Sequence, residues 1–206
     1  ELKEGGIVFW LRRLVAERAH TAREGVEIAG EVIQKYGYAS SGRSYIIADP
    51  DEAWMLAVVN GKHWIAQRIP DNKVAVVPNY YTIGEIDLLD TINFIGSPDL
   101  VEYAISRNWY DPASDSVFNF REAYAMQGSL KHQGNTKRMW RGVSLLSGKE
   151  YDVNDEFPFA FIPSHKLSKK DIMDVLRDSY KGSVLDKSQN SILGNPLKLN
   201  GPTICS

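Results

Sequence analysis

The length, composition and charge of the chain exclude several classes of protein. Of its 206 residues, 43% are hydrophobic and 24% are charged, and the formal net charge at pH 7 is −2. Basic and acidic residues are interspersed, so we expect no surface for binding nucleic-acid phosphates. The apolar runs are too short to span a bilayer, and no secretory leader opens the sequence. We predict a single partial domain over residues 1–206.

The two ends indicate that the sequence is an internal part of a longer polypeptide. It begins at Glu1 rather than at methionine and stops one residue after its single cysteine, Cys205. A lone cysteine excludes an internal disulfide and a CxxC metal or redox motif. The compartment stays open between the cytoplasm and an exported location.

A pair of helices is predicted over residues 7–36. Apolar residues recur at helical spacing through residues 7–19. Thr21 and Glu24 fit a capping box, in which each side chain accepts a free backbone N–H at the start of the second helix. Gly37 follows where a left-handed helix cap is expected.

Antiparallel strands are predicted over residues 44–78, because the apolar period there falls to two. The strand ranges are 44–49, 53–59, 62–69 and 73–77. Asn60-Gly61 gives the strongest hairpin signal in the chain, since both residues tolerate positive φ. No helical pattern interrupts this region, so the sheet is predicted to be mostly antiparallel.

The third region, residues 79–206, is predicted to be irregular with short helices. Helices are expected at 99–107, 120–126 and 136–146, and another from Ser168. Two helices, then a sheet, then further helices are typical of an α+β layered architecture.

Several well-known catalytic motifs do not occur in the sequence. Its four histidines are not at ligand spacing, so we predict no metal site. It has no Gly-x-Ser-x-Gly elbow and no phosphate-binding loop. Cys205 lacks the neighbouring base and electropositive setting of a nucleophilic thiol, and we interpret it as a small apolar residue.

Five polar or aromatic residues are candidates for a site. Asn79 closes a predicted strand, where a neutral amide could donate to a developing oxyanion or simply cap a turn. Tyr80 and Tyr81 follow it and are candidates for substrate contact, although most aromatic side chains fill cores. Arg138 and Arg141 lie three apart on one helix face, where they could clamp a carboxylate or form surface ion pairs.

An ordered set of segments runs through nearly the whole chain. The segments are 19–25 (AHTAREG), 44–54 (SYIIADPDEAW), 61–64 (GKHW), 78–79 (PN), 83–88 (IGEIDL), 96–100 (GSPDL), 109–112 (WYDP), 118–120 (FNF), 138–142 (RMWRG) and 204–206 (ICS). In this order they resemble the dipeptidase A and secernin family of cysteine peptidases. Each segment alone is unspecific, but the collinear set is highly specific.

The resemblance implies an N-terminal-nucleophile hydrolase-like fold, with two stacked, mostly antiparallel sheets between helical layers (αββα), of which this chain holds the central portion. It implies a dipeptidase whose processed N-terminal cysteine attacks the scissile carbonyl, with its own α-amino group as base and no cofactor. That cysteine would precede Glu1, so the isolated chain would be inactive. By similarity to related acylases, Asn79 would be the oxyanion donor, and Arg138 would lower the thiol pKa or steady the site. Arg141 replaces Arg138 if the register differs by one turn.

Two other functions stay open at this stage. The chain could belong to an amidase acting on non-peptide amides, as in bile-salt hydrolase and penicillin V acylase. It could instead be a binding or assembly module without catalysis, and open sheet edges could also lead it to form homo-oligomers.

Overall fold

Helices and antiparallel strands make up the part of the chain that the computed structural model describes, residues 6–114 and 116–186. The helices are α1 Trp10–Arg18, α2 Ala22–Tyr36, α3 Leu100–Ser106, α4 Phe120–Tyr124, α5 Gln127–Leu130, α6 Gln133–Ser147 and α7 Lys169–Arg177. The strands are β1 Arg43–Ala48, β2 Ala53–Val58, β3 Trp64–Ile69 and β4 Phe94–Gly96. They form one sheet in the order β1-β2-β3-β4, with every pair antiparallel. This mixture agrees with the predicted α+β class.

The helix pair α1 and α2 covers one face of the sheet. Val26, Ala29 and Ile33 on α2 are fully buried in a cluster that also contains Trp54 and Leu56 of β2. Their spacing of three and four residues puts them on one side of the helix, as the sequence pattern predicts.

The two ends of α2 differ in detail from the prediction. Thr21 accepts the Glu24 N–H at its Oγ1 (3.1 Å), as a helix cap should, but the short bond of the Glu24 carboxylate is to the His20 N–H (2.6 Å). Gly37 has a positive φ of 73° together with a ψ of 161°. The chain therefore leaves the helix in an extended direction, and Tyr38 pairs with Gly61 instead of completing a left-handed cap.

The predicted hairpin at Asn60-Gly61 is present, with a five-residue loop rather than a two-residue turn. Val59 donates its N–H to the His63 carbonyl (3.2 Å), and Gly61 has a φ of 106°, which favours glycine. Gly61 exchanges two backbone hydrogen bonds with Tyr38 (2.6 and 3.0 Å). This exchange lies within the loop and ties the hairpin to the end of α2.

The fourth strand of the sheet lies elsewhere than predicted. Residues 73–77 do not join the sheet, and only Val74 makes an isolated antiparallel bridge, with Phe161. The edge of β3 is instead occupied by β4, residues 94–96. A segment of three residues is too short to show a period of two, and this is why the sequence pattern did not reveal it.

The second face of the sheet is covered by turns and short helices. Met55, Ala57 and Ile65 are buried there against residues that follow position 80, which include Tyr81, Ile83, Leu100 and Phe120. A third cluster links α6 to the 74–76 segment through Met139, Val143, Leu146 and Phe161. Both faces of the described sheet are therefore covered, and the segments around residue 79 are held between two apolar clusters.

A first prediction concerns the contact between α2 and β3. Gly30 lies in α2 where an added Cβ would overlap the ring of the buried Trp64. Gly30→Ala, normally worth about 1 kcal/mol of helix stability, should here lower the free energy of unfolding by about 1–3 kcal/mol through overpacking. Urea denaturation measures the change. Gly128→Ala on α5 meets no atom within 4 Å and is the matched control; equal effects of the two variants would contradict close packing at Gly30.

A second prediction concerns Asp49, which joins the β1–β2 turn to α2. Its carboxylate accepts the N–H groups of Ala22 (2.6 Å), Asp51 (2.8 Å) and Glu52 (2.9 Å). These bonds, the one from Ala22 first, hold the pKa of Asp49 below its ordinary value of 3.8.

A lowered folded-state pKa means that the ionised carboxylate stabilises the fold above pH 3.8 and that this contribution disappears as pH falls through the folded-state pKa. The advantage of the wild type over Asp49→Asn should therefore be larger at about pH 6 than at about pH 3. Urea midpoints of both proteins at the two pH values test this. An advantage that does not depend on pH would show that the charge of Asp49 is not involved.

Candidate active site

A cavity of about 590 Å³ opens between the start of β1, the segment after residue 77 and the α4–α5 connection. Its lining residues are Ser41, Gly42, Arg43, Ser44, Val77, Pro78, Asn79, Tyr80, Tyr81, Tyr124, Ala125, Met126 and Ser129. Three of the five sequence candidates are among them.

The cavity wall is mostly neutral, although Arg43 contributes to it. Side chains alternate along a strand, and Tyr45 on the same side of β1 as Arg43 packs into the helix-covered core. The Arg43 guanidinium lies over the Phe9 ring, 5.4 Å from its centroid, near the start of α1. Ser44 is then the β1 side chain on the cavity side, so hydroxyl and amide groups provide the polar surface.

Asn79 is held by its backbone and presents its side chain at the exposed cavity wall. Its carbonyl oxygen accepts the Ser129 hydroxyl (2.8 Å) and the Asn135 Nδ2 amide (3.1 Å). The preceding Pro78 is buried and has a restricted φ. Within residues 6–114 and 116–186, no hydrogen bond engages the Asn79 side-chain amide, which makes it available to a ligand.

Arg138 reaches Asn79 through one intermediate side chain. Its Nη2 donates to Asn135 Oδ1 (2.7 Å), and its Nε donates to the Gly134 carbonyl (2.7 Å). The two residues that the resemblance assigns to catalysis are therefore connected, with Asn135 between them.

Sequence reasoning did not identify Asn135. The residue is 4% exposed and lies in the first turn of α6. Asparagine is a poor helix former because its side chain competes for backbone hydrogen bonds. The predicted helix covers residues 136–146 and leaves out Asn135, so no sequence signal pointed to its role.

Arg141 has a partner of its own. Its Nε and Nη2 donate to the two carboxylate oxygens of Asp178 (2.7 Å each), and Nη2 also donates to the Lys181 carbonyl (2.8 Å). The hydrogen bond to Asp178 raises the Arg141 pKa above its ordinary value. Arg141 thus binds Asp178 and Arg138 binds Asn135, and a joint clamp of the two arginines on a carboxylate stays a prediction.

The two tyrosines are buried to different extents. Tyr81 is 9% exposed, packs on Phe120 and donates its hydroxyl to the Val58 carbonyl (2.6 Å). Tyr80 is half-buried against the cluster that contains Met139. Burial raises the pKa of both hydroxyls, so both stay protonated near neutral pH. Tyr81 connects the cavity wall to β2, and Tyr80 is the more accessible of the two.

The described residues contain neither a candidate metal site nor a candidate membrane-spanning helix. Among them, no three His, Cys, Asp or Glu side chains lie close enough together to hold a metal ion. None of the helices in residues 6–114 and 116–186 combines the length and apolar character needed to cross a membrane. Cys205 lies outside the described residues.

Comparison with known sequences identifies the class of protein. The chain is 32% identical over 179 residues to a probable dipeptidase of Latilactobacillus sakei, and 33% identical over 190 residues to a dipeptidase of Bifidobacterium longum (strain NCC 2705). These matches cover 86% and 84% of the chain but only 37% and 35% of the two relatives. A probable dipeptidase B of Lactococcus lactis is 32% identical over 178 residues, or 37% of its own length. These relatives are named as dipeptidases, and the chain matches between 35% and 37% of their length.

The family follows from a match over most of the chain. The sequence profile of peptidase family C69 covers residues 6–197, and the chain belongs to that family. The resemblance to dipeptidases drawn from the ordered segments is confirmed.

A third prediction tests the role of Arg141. The Arg141 and Asp178 side chains are 12% and 13% exposed, so removing either one leaves a largely buried charge without its partner. Arg141→Ala or Asp178→Ala should each lower the free energy of unfolding by about 3 kcal/mol. The double variant should lose much less than the sum, because it leaves neither charge behind. Denaturant unfolding of the four proteins closes the cycle, and additive losses would contradict a structural ion pair.

Proposed function

We propose that this chain is the central part of a cysteine dipeptidase that hydrolyses dipeptides to free amino acids. The observation that carries the proposal is the link from Asn79 at the cavity wall, through Asn135, to Arg138. Membership of family C69 and the dipeptidase names of its relatives support the reaction class. The chain spans about 37% of the length of these relatives, so the proposal concerns the whole protein to which it belongs.

In the proposed mechanism a cysteine outside this chain, at the processed N-terminus, supplies the nucleophile. Its α-amino group takes the thiol proton, and the sulfur attacks the scissile carbonyl carbon. The tetrahedral intermediate collapses, the leaving amine takes up the proton, and the first amino acid departs. Water then hydrolyses the acyl-enzyme thioester, which releases the second amino acid and restores the thiol.

Asn79 and Arg138 have different parts in this mechanism. The Asn79 amide donates a hydrogen bond to the oxygen that becomes negative during attack. The positive charge of Arg138, one side chain further back, favours the thiolate over the thiol. Tyr80 and Tyr81 shape the cavity, with Tyr80 as the residue that contacts substrate.

The proposed fold is an N-terminal-nucleophile hydrolase-like αββα sandwich. The helical layer α1–α2 and the antiparallel sheet would be one helix layer and one sheet of it. The cavity volume, about 590 Å³, falls within the range of small-molecule sites, roughly 300–1,000 Å³. A dipeptide fits such a volume without further change.

An amidase acting on non-peptide amides is the second candidate. Met126 forms part of the cavity rim and is 72% exposed. Together with Tyr124 it offers apolar surface that an acyl chain could cover. The same experiment separates the two functions when acyl amides are assayed beside dipeptides.

The fourth prediction tests the proposed function on the full-length protein. It should release amino acids from a panel of dipeptides, and a thiol-alkylating reagent should abolish this activity. Asn79→Ala should lower kcat about 100-fold, because an oxyanion donor is lost. Asn154→Ala is the control, since its exposed side chain bonds within its own turn to Asp152.

Three outcomes would oppose the proposal. Release of amino acids that survives alkylation would exclude a cysteine nucleophile. Absence of hydrolysis of every dipeptide, with acyl amides cleaved, would favour the amidase, and absence of both would favour a binding module.

A further inference from the structure

We infer that Asn135 is a positioning residue, which sets the direction of the Asn79 amide by holding the Asn79 backbone in place. The inference rests on the proposed function, because it concerns the same cavity and the same reaction.

The side chain of Asn135 is satisfied at each of its polar atoms. Nδ2 donates to the carbonyls of Asn79 (3.1 Å) and Ser129 (2.9 Å), and Oδ1 accepts from Arg138 (2.7 Å). The chemistry of these partners fixes the orientation of the amide, since both carbonyls only accept and the guanidinium only donates. A flipped amide would bring an oxygen against two carbonyl oxygens.

This arrangement joins three separate pieces of chain. Asn135 lies in α6, Ser129 lies in α5, and Asn79 lies after the 73–77 segment. The Ser129 hydroxyl donates to the same Asn79 carbonyl (2.8 Å), so that oxygen receives two hydrogen bonds. Pro78 directly precedes Asn79, and its ring fixes its own φ. The backbone of Asn79 therefore has little freedom, and mainly its side chain can rotate.

Fixing a carbonyl is a way to aim the side chain on the neighbouring Cα. An oxyanion donor must lie within a few tenths of an ångström of its productive position, and a displacement of about 1 Å can lower the rate about 100-fold. Asn135 does not line the cavity. It therefore acts on the reaction through Asn79 and does not touch the substrate.

Arg138 strengthens the hydrogen bonds that Asn135 donates to the carbonyls of Asn79 and Ser129. A cationic donor on Oδ1 polarises the amide, and this makes its two N–H groups better donors. The guanidinium thus acts on Asn79 through Asn135 as well as through its charge. This additional role follows from the hydrogen bonds of the described residues and not from the spacing of the arginines.

The fifth prediction uses Asn135→Asp in the full-length protein. Aspartate has nearly the same size and keeps the acceptor for Arg138, but it loses both N–H donors to the carbonyls. We expect kcat to fall about 10–100-fold with KM changed less than about threefold. Asn60→Asp is the matched control, because Asn60 is exposed in the loop between β2 and β3.

A double-mutant cycle with Asn79→Ala separates positioning from a purely structural role. If Asn135 acts through Asn79, then Asn135→Asp should lower kcat less than about twofold when Asn79 is already alanine. An equal loss in both backgrounds, or a wild-type kcat for Asn135→Asp alone, overturns the inference. If that variant fails to fold, Ser129→Ala removes the parallel bond to the same carbonyl and should show the same dependence on Asn79.

Hydrogen exchange gives a readout that does not depend on activity. The peptide covering residues 79–81 should exchange faster in Asn135→Asp than in the wild type, while the control variant stays unchanged. Unchanged exchange in that peptide overturns the inference. Faster exchange in a protein that cleaves no dipeptide keeps the positioning role and rejects the proposed reaction, so the two failures are distinguishable.

Discussion

The central constraint on this structure is that β2 has two apolar faces and both must be covered. Trp54, Leu56 and Val58 point to one side, and Met55 and Ala57 point to the other; each is 1% exposed or less. The first face is covered by α2, which approaches closely enough that a glycine, Gly30, is needed opposite Trp64. The second face has no long helix among the described residues and is covered by the chain after residue 80. That requirement brings an irregular, polar segment against the sheet, where it forms the cavity.

The covering of the second face of β2 also determines the position of the cavity. Tyr81 is anchored to Val58 at the end of β2, and the residues before it must then pass the start of β1. The α4–α5 connection closes the third side, since Phe120 is buried under the sheet. Asn79 is therefore presented at an opening by residues on either side of it that are held in apolar clusters.

The sequence predicted the parts of this structure that depend on local periodicity. Helices α1 and α2, the first three strands and the start of α7 after Ser168 all follow from side-chain spacing or from a helix-capping residue. The sequence pattern put residues 73–77 in the sheet and missed β4. Which of the two segments pairs with the edge of β3 is decided by tertiary packing and not by local periodicity. An apolar run by itself cannot indicate its partner.

The same distinction holds for the candidate site. Asn79 was proposed because it follows the predicted strand 73–77, which does not join the sheet, and Arg138 was proposed from resemblance. Their connection could not be predicted, because it depends on Asn135 contacting two carbonyls far away in sequence or across a turn. Arg138 and Arg141 show the limit clearly. Both were predicted to lie on one helix face, but the sequence did not indicate that Arg141 binds Asp178 and that Arg138 binds Asn135.

The position of the charges fits catalysis better than simple substrate binding. Arg138 lies one side chain behind the cavity wall, and Arg43 is turned toward Phe9. An arginine at the wall would bind a substrate carboxylate equally well before and during the reaction, which lowers KM without raising kcat. A neutral amide such as Asn79 interacts weakly with an uncharged carbonyl and more strongly once that oxygen becomes negative. In the proposed reaction, a cation behind Asn135 would strengthen and orient the neutral donor Asn79, so that the gain would be concentrated in the transition state.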